Sequence, residues 1–183
     1  MAGAEPEFAG RVERLFGAGR HKTIATLRAD GAPRISGIEC EFTDGELRFG
    51  SMPGAVKGAD LRRDPRFALH GPTFHPVDGQ EADWPGEAKI AGRAIPAPGR
   101  ADDSASGGDG GGDGGGASAG DGGGDGGGDG GGASGGDGGD SAGADMFTAD
   151  IAEVVITHLN PAATLLVIES WTPQRGLRVT ERE

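Results

Sequence analysis

Cysteine is nearly absent. Cys40 is the one thiol in 183 residues, which excludes an intramolecular disulfide and fits a reducing compartment. Tyrosine is missing altogether, and aromatic residues make up only 5% of the chain. No apolar run approaches the roughly 20 residues that cross a bilayer. The opening "MAGAEPEFAGRVERL" lacks the basic-then-apolar order of a secretory leader. A soluble, cytoplasmic protein without membrane contact is the expectation. Concentrated positive charge is lacking too. The formal net charge is −12, but residues 97 to 145 hold ten acidic residues against one basic, a net −9 that leaves −3 for the rest. Phosphate-backbone binding needs a basic surface, so nucleic acid is not an expected partner.

Residues 107 to 143 also lack every apolar side chain larger than alanine, and "GGGD" recurs through them. Such a stretch cannot offset the entropy lost on folding and is expected to stay disordered. A calcium-binding β-roll would place aspartates among glycines in the same way. It also needs a large apolar residue in each unit to build a core, and none is there. The expected organisation is a single domain of residues 1–96 and 145–183, with 97–144 as an acidic Gly/Asp-rich linker inserted in it. A coil of about 40 such residues spans about 35 Å on average, ample for a surface loop whose ends lie close together.

What is present reads as short strands. "PEFAGRVERLFGAG" first sets Phe8, Val12, Leu15 and Phe16 on one face of a helix. "TIATLR" and "RISGIECEF" then flank the turn pair Asp30-Gly31 and form antiparallel neighbours. In the second, Ile38, Cys40 and Phe42 share one face while Glu39 and Glu41 share the other. "TDG" leads into the strand "ELRFGS", and "AVKGADLRR" forms a short helix that Asp64-Pro65 ends. Further strands are expected at "RFALH", "AKIAGRAIP", "ADIAEVVITHL" and "TLLVIESW", with residues 71–86 a loop. Six or seven strands with one or two helices make a mainly antiparallel β-barrel.

One junction carries possible chemistry. "GSMPGAVKG" puts Ser51, a glycine-containing bend and a lone Lys57 where a strand gives way to a helix. Backbone amides, one hydroxyl and one ammonium suit a phosphate. The spaced Gly-Lys-Ser/Thr signature of a nucleotide-hydrolysing loop is absent. The alternative is structural, with Ser51 capping the helix and Lys57 simply exposed. Other candidates are weaker. His70 and His75 do not form a recognised ligand pair, so no metal is expected. Cys40 reads as a small buried hydrophobe, Trp171 as a core residue, and Arg11, Arg14, Arg62 and Arg63 as solvated helix charges.

"ATLRADGAPRISGIE" (Ala25 to Glu39), "DGELRFGSMPGAVKGADLRRDPRFAL" (Asp44 to Leu69), "AKIAGRA" (Ala88 to Ala94) and "LVIESWTPQRGLR" (Leu166 to Arg178) together touch every element outside the insert. In that order they resemble the pyridoxamine 5'-phosphate oxidase-like split barrels, which bind FMN or the deazaflavin F420. The resemblance implies an FMN-binding type of split barrel, homodimeric, with the cofactor at the dimer interface. It implies that Ser51 and Lys57, six positions apart, hold the cofactor phosphate. By the same resemblance, the strand carrying Arg34, Ser36 and Gly37 lines the ring and ribityl chain, and Trp171 flanks the cofactor. The chain departs from the authentic oxidases in three places. Val56 stands where they carry arginine, no tyrosine is available to hold pyridoxamine phosphate, and the Gly/Asp insert replaces a short helical connection. Oxidation of vitamin B6 is therefore not the expected activity. A flavin- or deazaflavin-dependent oxidoreductase acting on a small conjugated molecule is. A carrier or stress protein of the same fold without turnover, and an interaction domain displaying an acidic tether, are the alternatives.

Overall fold

The computed structural model describes residues 3–98 and 144–183. The linker expected at 97–144 therefore lies almost wholly outside the described residues. Helix α1 spans Pro6–Gly17, with proline in its first turn, where its missing N–H costs nothing. It buries Phe8, Val12, Leu15 and Phe16 on the face predicted from their spacing. Strands β1 (His21–Leu27), β2 (Pro33–Thr43) and β3 (Glu46–Ser51) form a meander. Asp44 and Gly45 sit at φ of +53° and +80° between β2 and β3, the paired left-handed geometry that a two-residue hairpin needs. Helix α2 spans Val56–Arg63. It stops at Asp64, which is extended (φ −132°, ψ 104°) ahead of Pro65.

Strands β4 (Arg66–His70), β5 (Glu87–Ala97), β6 (Asp145–Leu159), β7 (Leu166–Thr172) and β8 (Gly176–Arg182) complete the sheet. Its order is β3-β2-β1-β4-β5-β6-β7-β8, and β3 also pairs with β6, which closes a six-stranded barrel. β6 makes this a split barrel. One edge pairs with β5 over Met146–Thr157, while the other pairs with β3 over Asp145–Thr148 and with β7 over Val154–Leu159. A register shift at Ala91/Gly92 falls opposite Ile151–Glu153, where the partner changes. An extra residue at such a point bends the strand. β5 and β6 pair as far as Ala97↔Met146, so the chain leaves and re-enters the barrel at neighbouring positions.

Phe49 lies at the centre of the core, edge-on to Phe67 (centroids 5.1 Å apart) and stacked with Phe147 (5.8 Å). Ile24, Ile38, Leu69, Ile90, Val154 and Ile156 surround them. Two differences from the sequence expectation stand out. β6 begins four residues earlier than "ADIAEVVITHL", and β8 is an additional strand. Every residue of β8 beyond Leu177 is exposed, so its alternation carries little burial signal. The 71–86 loop holds one 3₁₀ turn, Glu81–Asp83, and the Trp84 indole donates to the Phe74 carbonyl at 3.0 Å. No helix among the described residues is long and apolar enough to cross a membrane.

Candidate functional site

β3 ends on Ser51, and a tight turn through Pro53 and Gly54 follows. The Ala55 amide donates to the Met52 carbonyl at 3.0 Å, with Gly54 at φ +72°. That geometry favours glycine at the third turn position. The N-cap of α2 is Ala55, which supplies no side-chain cap. Ser51 is therefore not the helix cap that the structural alternative made it. Its hydroxyl is buried, 6% exposed, and donates to Asp145 Oδ2 at 3.5 Å. Lys57 is half-buried, and its Nζ donates to the Gly37 carbonyl at 2.9 Å. Lys57 thus ties α2 to β2 through a neutral acceptor, and its Nζ has two further N–H donors.

Gly58, one residue on, explains how α2 comes so close. A Cβ at this position would stand 2.2 Å from Asp145 Oδ2 and 2.6 Å from Ser51 Oγ. Only glycine fits without moving them. The other carboxylate oxygen of Asp145 forms an ion pair with the Arg62 guanidinium. Ser51, Gly58, Arg62 and Asp145 thus form one polar slot where β3, β6 and α2 meet.

The second polar cluster is centred on Asp60, 2% exposed. Arg34 Nε donates to its Oδ2 at 2.6 Å, Thr26 Oγ1 to the same atom at 3.0 Å, and Arg63 Nη2 to Oδ1 at 2.9 Å. Arg63 also donates to the Leu27 carbonyl. Burial pushes the Asp60 carboxyl up, but the donors from Arg63, Arg34 and Thr26 outweigh it and hold it below the usual carboxylate range. This cluster fastens α2 across β1 and β2. Arg34 is therefore placed to brace the helix with Nε, while its two Nη nitrogens make no hydrogen bond among the described residues.

Of the six residues singled out in the sequence, Lys57 and Gly37 touch, while Ser51 ends β3, the strand that pairs with β2. Arg34, Ser36 and Gly37 share β2, with Arg34 and Ser36 half-buried and Gly37 exposed. Trp171 is elsewhere. It is 7% exposed in the core and pairs with Val154, whereas Ser51 pairs with Asp145. Nine residues of β6 separate those partners, up to about 30 Å of strand at 3.3 Å per residue. Trp171 does not reach the junction of its own chain.

Asp60, Gly58 and Asp145 have no role in the sequence analysis, and Arg62 enters it only as a solvated helix charge. Their one local signal is that Gly58 and Asp60, both poor helix formers, occupy the middle of an eight-residue helix. The helix arginines are also more engaged than expected. Besides Arg62 and Arg63, Arg11 pairs with Glu169, donating from Nη1 to Oε1 at 2.6 Å. His158 Nε2 lies 2.8 Å from the same oxygen.

A cavity of about 510 Å³ opens under the end of α1, lined by Phe16, Lys22, Cys40 and Phe42 among others. Burial pushes the Cys40 thiol up to about 11, which fits an inert, packed cysteine rather than a nucleophile. Among the described residues no group of three or more His, Cys, Asp or Glu side chains could hold a metal ion. His70 instead places Nε2 3.3 Å from Glu87 Oε2.

No family model and no curated protein matches the sequence. Among solved structures, a Listeria innocua protein proposed to be a pyridoxamine 5'-phosphate oxidase matches over 82% of this chain and 98% of its own, at 12% identity and a TM-score of 0.50. A haem-binding protein from Mycobacterium smegmatis covers 94% of this chain and 87% of its own at 14% identity, with a TM-score of 0.44. An F420 reductase matches over 47% of this chain and 60% of its own at 19% identity, with a TM-score of 0.35. Likeness at such identities speaks to architecture alone. On the first of these matches, the chain has the split-barrel fold of the pyridoxamine 5'-phosphate oxidase-like proteins.

Proposed function

We propose that this protein binds a phosphate-bearing flavin-type cofactor, FMN or F420, at the α2 junction and passes reducing equivalents to a small conjugated molecule. The observation that carries the proposal is Lys57. Six residues after a buried serine, its ammonium is held in place by a neutral carbonyl and has no carboxylate partner among the described residues. The donor set suits a phosphate: an ammonium, a hydroxyl, the nearby Arg62 guanidinium, and a glycine slot that any Cβ would fill. The cofactor ring supplies the hydride or electron-pair chemistry when bound.

The chain's own part is to bind and orient. Lys57 and Ser51 hold the phosphate, and Arg34, Ser36 and Gly37 on β2 lie beside the ring or ribityl chain. Asp60 braces Arg34 and α2. Ile35, Met52 and Val56 are 76%, 75% and 57% exposed around the same junction, an apolar surface that suits a second copy of the chain. Trp171 is packed in the core of its own chain, 7% exposed, and takes no part in the site proposed here. The proton that completes reduction of the substrate comes from solvent. The test is anaerobic turnover. Reduced FMN or F420, mixed with the protein and a quinone, enone or nitroaromatic acceptor, is expected to be oxidised faster than without the protein. Binding without any such acceleration would make the protein a carrier rather than an oxidoreductase.

A further inference from the structure

The slot between Ser51 and Arg62 already holds an anion, and that anion belongs to the chain. Asp145 is the first residue of β6, and its backbone pairs with Ser51 across the ladder. That pairing asks nothing of the side chain, because a strand position opposite a serine accommodates many residues. Yet the carboxylate is only 20% exposed. One oxygen faces the Ser51 hydroxyl and the other the Arg62 guanidinium, and the missing Cβ of Gly58 makes the room. A hydroxyl on one side and a guanidinium on the other are the donors that a phosphate monoester also uses.

Two anions cannot share this slot. Gly58 leaves Asp145 Oδ2 so close to α2 that even one added carbon would stand 2.2 Å away. A phosphate dianion a few ångströms from the carboxylate would also be repelled in a setting only partly screened by water.

We propose that Asp145 is a built-in occupant of the phosphate slot. Its carboxylate takes the place of a ligand phosphate, and it must swing out before that phosphate reaches Ser51 and Arg62. Arg62 is then a phosphate-binding residue in its own right. It supplies from the fifth position after Lys57 the second cation that Val56 does not. Rotation about the Asp145 side-chain bonds suffices for the exchange, and the β3–β6 ladder stays intact. The inference rests on the cofactor site proposed above, but its test does not depend on a flavin.

The probe is inorganic phosphate, titrated by calorimetry into the full-length protein, with thermal midpoints as the folding control. Asp145→Asn is expected to bind phosphate at least tenfold more tightly than wild type, about 1.4 kcal/mol. Asp145→Ser serves the same purpose if the asparagine variant folds poorly. Adding Arg62→Ala is expected to erase the gain, and adding Gly58→Ala to block the slot from the helix side. Equal phosphate binding in wild type and both Asp145 variants, weak or strong, would overturn the proposal. So would a gain that survives Arg62→Ala. A parallel titration separates this from failure of the cofactor site. Asp145→Asn is expected to tighten FMN at least tenfold and leave riboflavin, which has no phosphate, unchanged. If neither flavin binds while the phosphate gain remains, the cofactor proposal fails and the slot stands.

Discussion

Lys57→Ala is expected to weaken binding of the preferred cofactor at least tenfold, about 1.4 kcal/mol, with little change in folding. The two effects separate because of what Lys57 touches. Its hydrogen bond goes to the carbonyl of Gly37, an exposed residue that water can serve equally well. A bond of that kind contributes about 1 kcal/mol or less to stability. Its charge, by contrast, has no carboxylate to neutralise it among the described residues, so a bound phosphate would be its first counter-charge. The interaction is electrostatic and partly exposed, and raising the salt concentration should narrow the gap between wild type and variant. Lys57→Arg should recover only part of the loss, because a planar fork replaces a compact point charge at the end of a different stem. Fluorescence titration of both variants beside wild type reads these differences. Unchanged affinity in Lys57→Ala would remove Lys57 from the site.

The larger effect on stability belongs to Asp60. Asp60→Ala is expected to cost about 3 kcal/mol, because it removes a buried carboxylate and leaves the half-buried Arg34, and the more exposed Arg63, without their partner. For a domain of this size that lowers the thermal midpoint by roughly 10 °C. The pH dependence has a definite sign. The folded-state carboxyl lies below its ordinary value, so its contribution is fully present above the unfolded value of about 3.9. It is lost only as the pH falls through the lower folded value. Wild type and variant should therefore differ by a constant amount from pH 5 to pH 8 and converge below about pH 4. Urea denaturation across that range reads the difference directly. A gap below about 1 kcal/mol at pH 7, or one that closes on going from pH 5 to pH 8, would show that Asp60 does not anchor α2. Loosening α2 would also displace Lys57, so cofactor affinity should fall in this variant for an indirect reason.

Much of the barrel is legible in the sequence because each strand up to β5 carries its own alternation and turn. Asp30-Gly31, Asp44-Gly45 and Asp64-Pro65 mark the boundaries, and α1 declares its buried face through Phe8, Val12, Leu15 and Phe16. The start of β6 is harder to see, since Asp145 to Thr148 adjoin a glycine run and pair with β3, about a hundred residues earlier. β8 is an exposed edge with arginine, threonine and glutamate between its few apolar residues.

The candidate site divides in the same way. The Ser51–Lys57 spacing is local and visible. What Ser51 faces is not, because Asp145 joins it from 94 positions away. The Arg34–Asp60 pair likewise depends on packing α2 over β2, and no periodicity reports that. Only the two misfits inside α2, Gly58 and Asp60, hint that this helix is shaped by contacts rather than by propensity.

The central claim is that the α2 junction holds a phosphate-bearing flavin-type cofactor. Equilibrium titration of the apo-protein with FMN and, separately, with F420 tests it most directly. Saturable binding of at least one cofactor with a Kd below about 100 μM, near −5.5 kcal/mol, is the predicted result. If neither saturates in that range, the junction is not a cofactor site, and the barrel serves a different ligand.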